Sequence, residues 1–109
     1  MKFMKLIKGL VEHIEEELHD ADKYIKCAIK HKHDGTELDA LFAKLASAEL
    51  EHATMLHEAA VKEIDKMRSM MQARGTPIPD YMIEYWDDEH EEYIERMSRL
   101  KHSLEMVRR

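Results

Sequence analysis

Two short breaks in an otherwise continuous helical pattern constrain this chain more than any other feature. The first, "KHDGTE", contains Gly35, which can end a helix, and Thr36 and Asp39, spaced like a capping box for the next one. The second, "RGTPIPD", holds Gly75, Pro77 and Pro79, which cannot continue a helix. The three segments they leave, about 3–32, 36–73 and 80–107, each carry a 4-3 alternating seam. In the first the seam runs Phe3, Ile7, Leu10, Ile14, Glu17, Ala21, Tyr24, Ala28. In the second it runs Leu38, Phe42, Leu45, Glu49, His52, Leu56, Ala59, Glu63, and in the third Ile83, Trp86, His90, Tyr93, Met97, Leu100, Leu104, Val107. Long helices joined by short connections pack as antiparallel neighbours, so the first two should form a hairpin. The expected fold is all-α, one domain over residues 1–109.

Composition agrees with that pattern. Charged residues make up 37% and hydrophobic residues 44%, with only 3 Gly and 2 Pro, a balance that favours amphipathic helices over strands. The net charge of -6 comes from interleaved signs and leaves no basic stripe, which argues against nucleic acid as a partner. No apolar run is long enough to span a bilayer. The opening "MKFMKLIKGL" resembles a basic signal segment, but Lys5, Lys8 and Glu12 interrupt it, so it reads as the first turns of a helix. Cys27 is the single cysteine and reads as a small hydrophobe beside the seam; a reducing cytoplasm is the default compartment. Met55, Met67, Met70, Met71, Met82 and Met97 read as adaptable core and interface filler rather than as a copper or haem site, and Tyr85 and Trp86 as packing anchors of helix 3. There is no Gly-rich phosphate loop and no Ser/His/Asp arrangement.

Three acid–histidine pairs occur at a spacing of three: Glu16/His19, Glu49/His52 and Asp87/His90. That number is close to chance for 8 His and 23 acids, so position on the helix must separate them. Glu16 and His19 straddle their seam and read as a solvated face. His90 lies on its seam with Asp87 beside it, whereas Glu49 and His52 both lie on theirs. Charged groups on an apolar seam are costly unless something pairs with them. The hairpin brings a partner. Taking Asp34 as the turn, Glu17, Glu49 and His52 lie within roughly 5 Å of one height. Two carboxylates that close cannot both stay ionised without a counter-cation, and an i, i+3 acid–imidazole pair can present O and N donors to one divalent ion. A polar layer that only fixes helix register, as in coiled coils, explains the same residues. Both readings stand on spacing alone.

"LFAKLASAELEHA" is similar to the second helix of the ferritin-like superfamily, especially rubrerythrins and encapsulated ferritins, whose helices carry E-x-x-H on an apolar face. "ELHDADKY" adds the Glu17-to-Tyr24 spacing of their ligand helix, and "WDDEHEEY" looks like a second E-x-x-H with Asp87 in place of Glu. The resemblance implies a carboxylate-bridged di-iron or di-manganese site, built in four-helix members from a Glu of each of two helices and E-x-x-H from the other two. On that mapping Glu17 is the lone Glu, Glu49 the bridging carboxylate and His52 a terminal ligand. Tyr24 would bond a ligand oxygen or relay an electron, and Asp87 and His90 would complete the set.

The chain departs from the pattern in having three long helices, and in the height of helix 3. Taking Pro77 as the second turn, plain antiparallel packing offsets His90 from His52 by roughly 18 Å and sets it opposite Ile64 to Met67. Either helix 2 stops near Met70 and the following segment crosses over, or two hairpins meet about a two-fold axis, as in encapsulated ferritins. The second needs no long crossover and leaves His90 as an inter-helix or interface histidine. The leading expectation is thus a homo-oligomeric iron protein with a dinuclear site at a dimer interface, oxidising Fe(II) with O2 or peroxide. Manganese and zinc are the alternative metals. The competing expectation is a non-catalytic structural or adaptor bundle, of phage or mobile-element type, in which the polar layer sets register.

Overall fold

The structure is a computed structural model and describes residues 2–109. Three helices follow one another: α1 (Lys2–Lys30), α2 (Leu38–Ala73) and α3 (Asp80–Arg108). No strand occurs among the described residues. The molecule is a rod of 63 × 18 × 16 Å, its length set by α2, whose 36 residues alone extend about 54 Å.

α1 and α2 form an antiparallel hairpin held by unequal surfaces. α1 buries Ile7, Val11, Ile14, Leu18, Ala21, Ile25 and Ala28. α2 answers with Ala43, Ala46, Leu50, Ala53, Ala60, Ile64 and Met67. The alanines let the helix axes approach closely while the larger side chains of α1 fill the interface. This corrects the expected α2 seam by one residue: of Leu38, Phe42, Leu45, Glu49, His52, Leu56, Ala59 and Glu63, none is buried. Phe42 and Leu56 are half-buried and pack against the edge of the core. In α1, Ile7, Ile14, Ala21 and Ala28 are buried as expected, while Leu10, Glu17 and Tyr24 lie at its edge.

The breaks fall where glycine and proline require, with different capping. α1 ends at Lys30, and Gly35 takes a φ of 80°. The Thr36/Asp39 capping box does not form: α2 starts at Leu38 after Glu37, with no side-chain cap. Instead the Asp34 carboxylate accepts hydrogen bonds from the Thr36 amide and hydroxyl, at 3.0 and 2.6 Å. It also pairs with the His31 ring. The Thr36 hydroxyl, His31 and the Thr36 amide together hold the Asp34 carboxyl down at about 2. At the other end Gly75, with φ 68°, donates its amide to Gln72 O, and Thr76 donates to Met71 O, the paired bonds of a Schellman motif.

α3 packs along one side of the hairpin, parallel to α1. Tyr85 and Trp86 sit on the Ile7–Val11–Ile64 cluster. At the far end Lys32 Nζ caps the helix, donating to Val107 O at 2.7 Å and Met106 O at 3.3 Å. The height of α3 differs from the expected one. His90 meets His57 rather than Ile64 to Met67, a displacement of about seven residues, or roughly 10 Å, along α2. The cause is the connection. Thr76–Pro79 is non-helical, and extended backbone climbs about 3.3 Å per residue, so α3 starts well up the side of α2. No described helix is long and apolar enough to cross a membrane.

Candidate metal centre

Helix periodicity sets Glu17, Glu49 and His52 on one face of the hairpin. Residues two apart on an α-helix point about 160° away from each other. Glu15 of α1 lines a cavity with Glu89, Glu92 and Tyr93 of α3, so Glu17 faces the other way. Thr54 of α2 lines a groove with Lys101 and Leu104 of α3, so His52 also faces away. Both helices therefore turn these side chains toward the hairpin face that α3 leaves uncovered.

Glu17, Glu49 and His52 converge there, each offering one donor atom within 4.8 Å of the others. His52 Nδ1 is 3.5 Å from Glu17 Oε2 and 3.9 Å from Glu49 Oε1. Bonds of ~2.1 Å to one ion leave neighbouring donors roughly 3–3.5 Å apart, so small side-chain movements would close this set around a cation. The layer is shallower than the seam assignment implies. The side chains of Glu17 and Glu49 retain 23% and 19% of their exposure, and that of His52 retains 54%.

Two observations bear on whether the donors suit a metal. Glu17 Oε2 is buried without a hydrogen-bond partner, a costly state for a carboxylate oxygen. Glu49 is pushed up to about 7, chiefly by the adjacent Glu17 carboxyl and then by desolvation. His52 pulls the other way, and Asp20 adds a smaller push upward. A cation placed among the three would satisfy the orphaned oxygen and relieve the repulsion together. Two carboxylates and one imidazole are a donor set for first-row divalent metals rather than for Cu(I) or a thiolate site.

The other expected residues lie elsewhere. The Tyr24 ring stacks on Phe42 at 6.1 Å, and Phe42 stacks on His31, which ties Tyr24 to the turn end of the hairpin. Asp87 is exposed on α3 and lies outside the converging group, as does His90. His90 is an inter-helix histidine: its Nδ1 lies 2.9 Å from His57 Nε2. Glu16 and His19 are exposed. Cys27 is free and half-buried rather than buried.

His57 and Asp20 are the residues that sequence reasoning missed. Asp20 sits one turn from Glu17 and is felt by Glu49. His57 is surrounded by aromatic rings, with Tyr93 parallel to it at 4.0 Å and Trp86 at 5.6 Å. Its signal was present in the alternation Ala46, Leu50, Ala53, His57, Ala60, Ile64, which a search weighted toward large apolar residues passes over. Compared with protein-family models, curated proteins and solved structures, the chain matches none.

Proposed function

We propose that Glu17, Glu49 and His52 form half of a carboxylate-bridged two-metal centre, completed by the same residues of a second copy, and that the protein handles iron. On this reading it is a ferritin-like homodimer or larger oligomer. The observation that carries the proposal is the convergence of two carboxylates and an imidazole from opposite arms of the hairpin, with Glu17 Oε2 buried and partnerless.

The surroundings support a second copy as the completing element. Toward the turn the triad is flanked by Leu41, Phe42 and Leu45, and toward the other end by Leu10, Met55 and Leu56. Leu41 is 49% and Met55 61% exposed. Apolar residues framing a polar centre, on a face no helix of the chain covers, suit an isologous interface in which each copy presents the same patch. Doubling the set gives four carboxylates and two imidazoles, the complement a dinuclear carboxylate site uses.

Iron bound there supplies the redox chemistry, with O2 or peroxide as oxidant. The chain's own residues bind and orient. Glu49 would be the bridging carboxylate that the ferritin-like resemblance implies, and it must lose its proton before it can ligate. His52 turns Nδ1 toward both carboxylates and must stay neutral to donate its lone pair. Anaerobic Fe(II) titration tests this: one Fe(II) per chain is expected for the parent and none for Glu49→Ala, and equal binding by both would place the site elsewhere. Competition with Mn(II) and Zn(II) in the same titration identifies the preferred metal.

One observation favours a second reading. A proton on Glu49 also removes its repulsion from Glu17, and Glu49 at about 7 holds that proton near neutrality. The triad would then be a register device in a structural bundle, and chelators would leave the melting temperature unchanged.

A further inference from the structure

α3 is held to the hairpin at mid-length by a histidine pair. His57 of α2 and His90 of α3 face each other with Nε2 and Nδ1 2.9 Å apart and ring centroids at 5.0 Å, the planes 19° from parallel. Rings so disposed meet edge to edge along the N···N line. One nitrogen donates its proton and the other must present a lone pair. Trp86 and Tyr93 of α3 pack against the His57 ring from the same helix as His90, so this contact joins α2 to α3 with four rings.

We propose that the His57–His90 pair is an acid-sensitive latch that holds α3 on the hairpin and releases it when both rings are protonated. The first proton is tolerated. It turns the contact into a charge-assisted N–H···N bond, and the Tyr93 face beside His57 favours a cation. A second proton removes the only acceptor and sets two positive rings in contact. The groups facing the pair have mixed effects. α1 contributes Glu15 among apolar Val11, Ile14 and Leu18; α3 contributes Glu89, Glu92 and Arg96. Glu58 lies beside His57 on α2. The carboxylates ease both protonations and Arg96 opposes them, while the N–H···N contact between the rings needs one free lone pair and is lost once both are protonated. Burial and the His90 ring both hold His57 below its ordinary value. Release therefore belongs on the acid side of the ordinary imidazole range.

Amide hydrogen exchange on the full chain tests the latch between about pH 7.5 and about pH 5, corrected for the intrinsic pH dependence of exchange. Protection across α3 should fall at least about tenfold at the lower pH while α1 and α2 change less than about twofold. His90→Gln keeps a neutral hydrogen-bonding partner that cannot take the second proton, so its α3 protection should be flat with pH; His57→Gln is the reciprocal variant. Ring-proton NMR of the parent supplies a readout free of substitutions: of the two titration steps of the pair, the lower should coincide with loss of α3 protection. The proposal is overturned if parent α3 protection is unchanged at the lower pH, if its loss follows another step, or if a folded Gln variant loses as much.

Discussion

Glu17 and His52 belong to opposite arms of the hairpin, yet His52 Nδ1 stands 3.5 Å from Glu17 Oε2, an oxygen that has no hydrogen-bond partner. That relationship depends on how closely α1 and α2 approach. It makes the candidate site a property of the alanine stripe beneath it as much as of its own three residues.

Enlarging the stripe should therefore disable the site without touching it. Ala53 is fully buried one residue from His52. Ala53→Leu is expected to destabilise the chain by about 1–3 kcal/mol through overpacking and to weaken Fe(II) binding at least about tenfold. Urea melts and metal titration of the same sample check both effects.

The apo chain should lose stability as pH rises through about 7. Glu49 stands at about 7 against an ordinary 4.5, so between these values the folded state holds a proton that the unfolded state has lost. Its contribution is complete below about pH 4.5 and is lost as pH rises through about 7, at most about 3 kcal/mol. His57 acts oppositely: its value is lowered by burial and by His90, so stability falls as pH drops below the ordinary imidazole value. Below the ordinary imidazole value the two slopes oppose each other, so thermal melts in chelator from about pH 5 to about pH 8 should show a flat acid side and a decline through about pH 7, and saturating Fe(II) should remove that decline.

Glu49→Gln separates stability from binding. A neutral amide ends the repulsion from Glu17 while still filling the site, so above pH 7 the apo variant should gain about 1 kcal/mol, or about 5 °C in Tm. Its Fe(II) binding should be lost. A variant less stable than the parent at alkaline pH would show that the carboxylates are not in conflict.

Two glycines with open space around them should respond with opposite signs. Gly75 has φ 68° and no atom within 4 Å of the position a Cβ would take, so Gly75→Ala meets backbone strain alone and should cost about 1–2 kcal/mol. Gly9 lies inside α1, also in open space, and Gly9→Ala should stabilise by about 0.5–1 kcal/mol. Chemical denaturation of both variants measures the difference.

Helix number and both breaks were legible in the sequence because Gly35, Gly75, Pro77 and Pro79 act locally. The layer shared by Glu17, Glu49 and His52 was legible too, since helical rise fixes height across a short turn. Depth was not. A stripe of Leu38, Phe42, Leu45 and Leu56 outweighs Ala43, Ala46, Ala53 and Ala60 in hydrophobicity, but close helix approach selects the small residues and moves the larger ones to the flank. The same shift hid His57. The height of α3 was misjudged because the rise of Thr76–Pro79 depends on an extended backbone that spacing does not reveal.

The most direct test of the central claim is native mass spectrometry of the full chain loaded anaerobically with Fe(II). A dimer or an even-numbered oligomer carrying two ions per pair of chains is expected, together with an ion-free Glu49→Ala variant. A monomer without bound metal, or an ion count that survives Glu49→Ala, would contradict it.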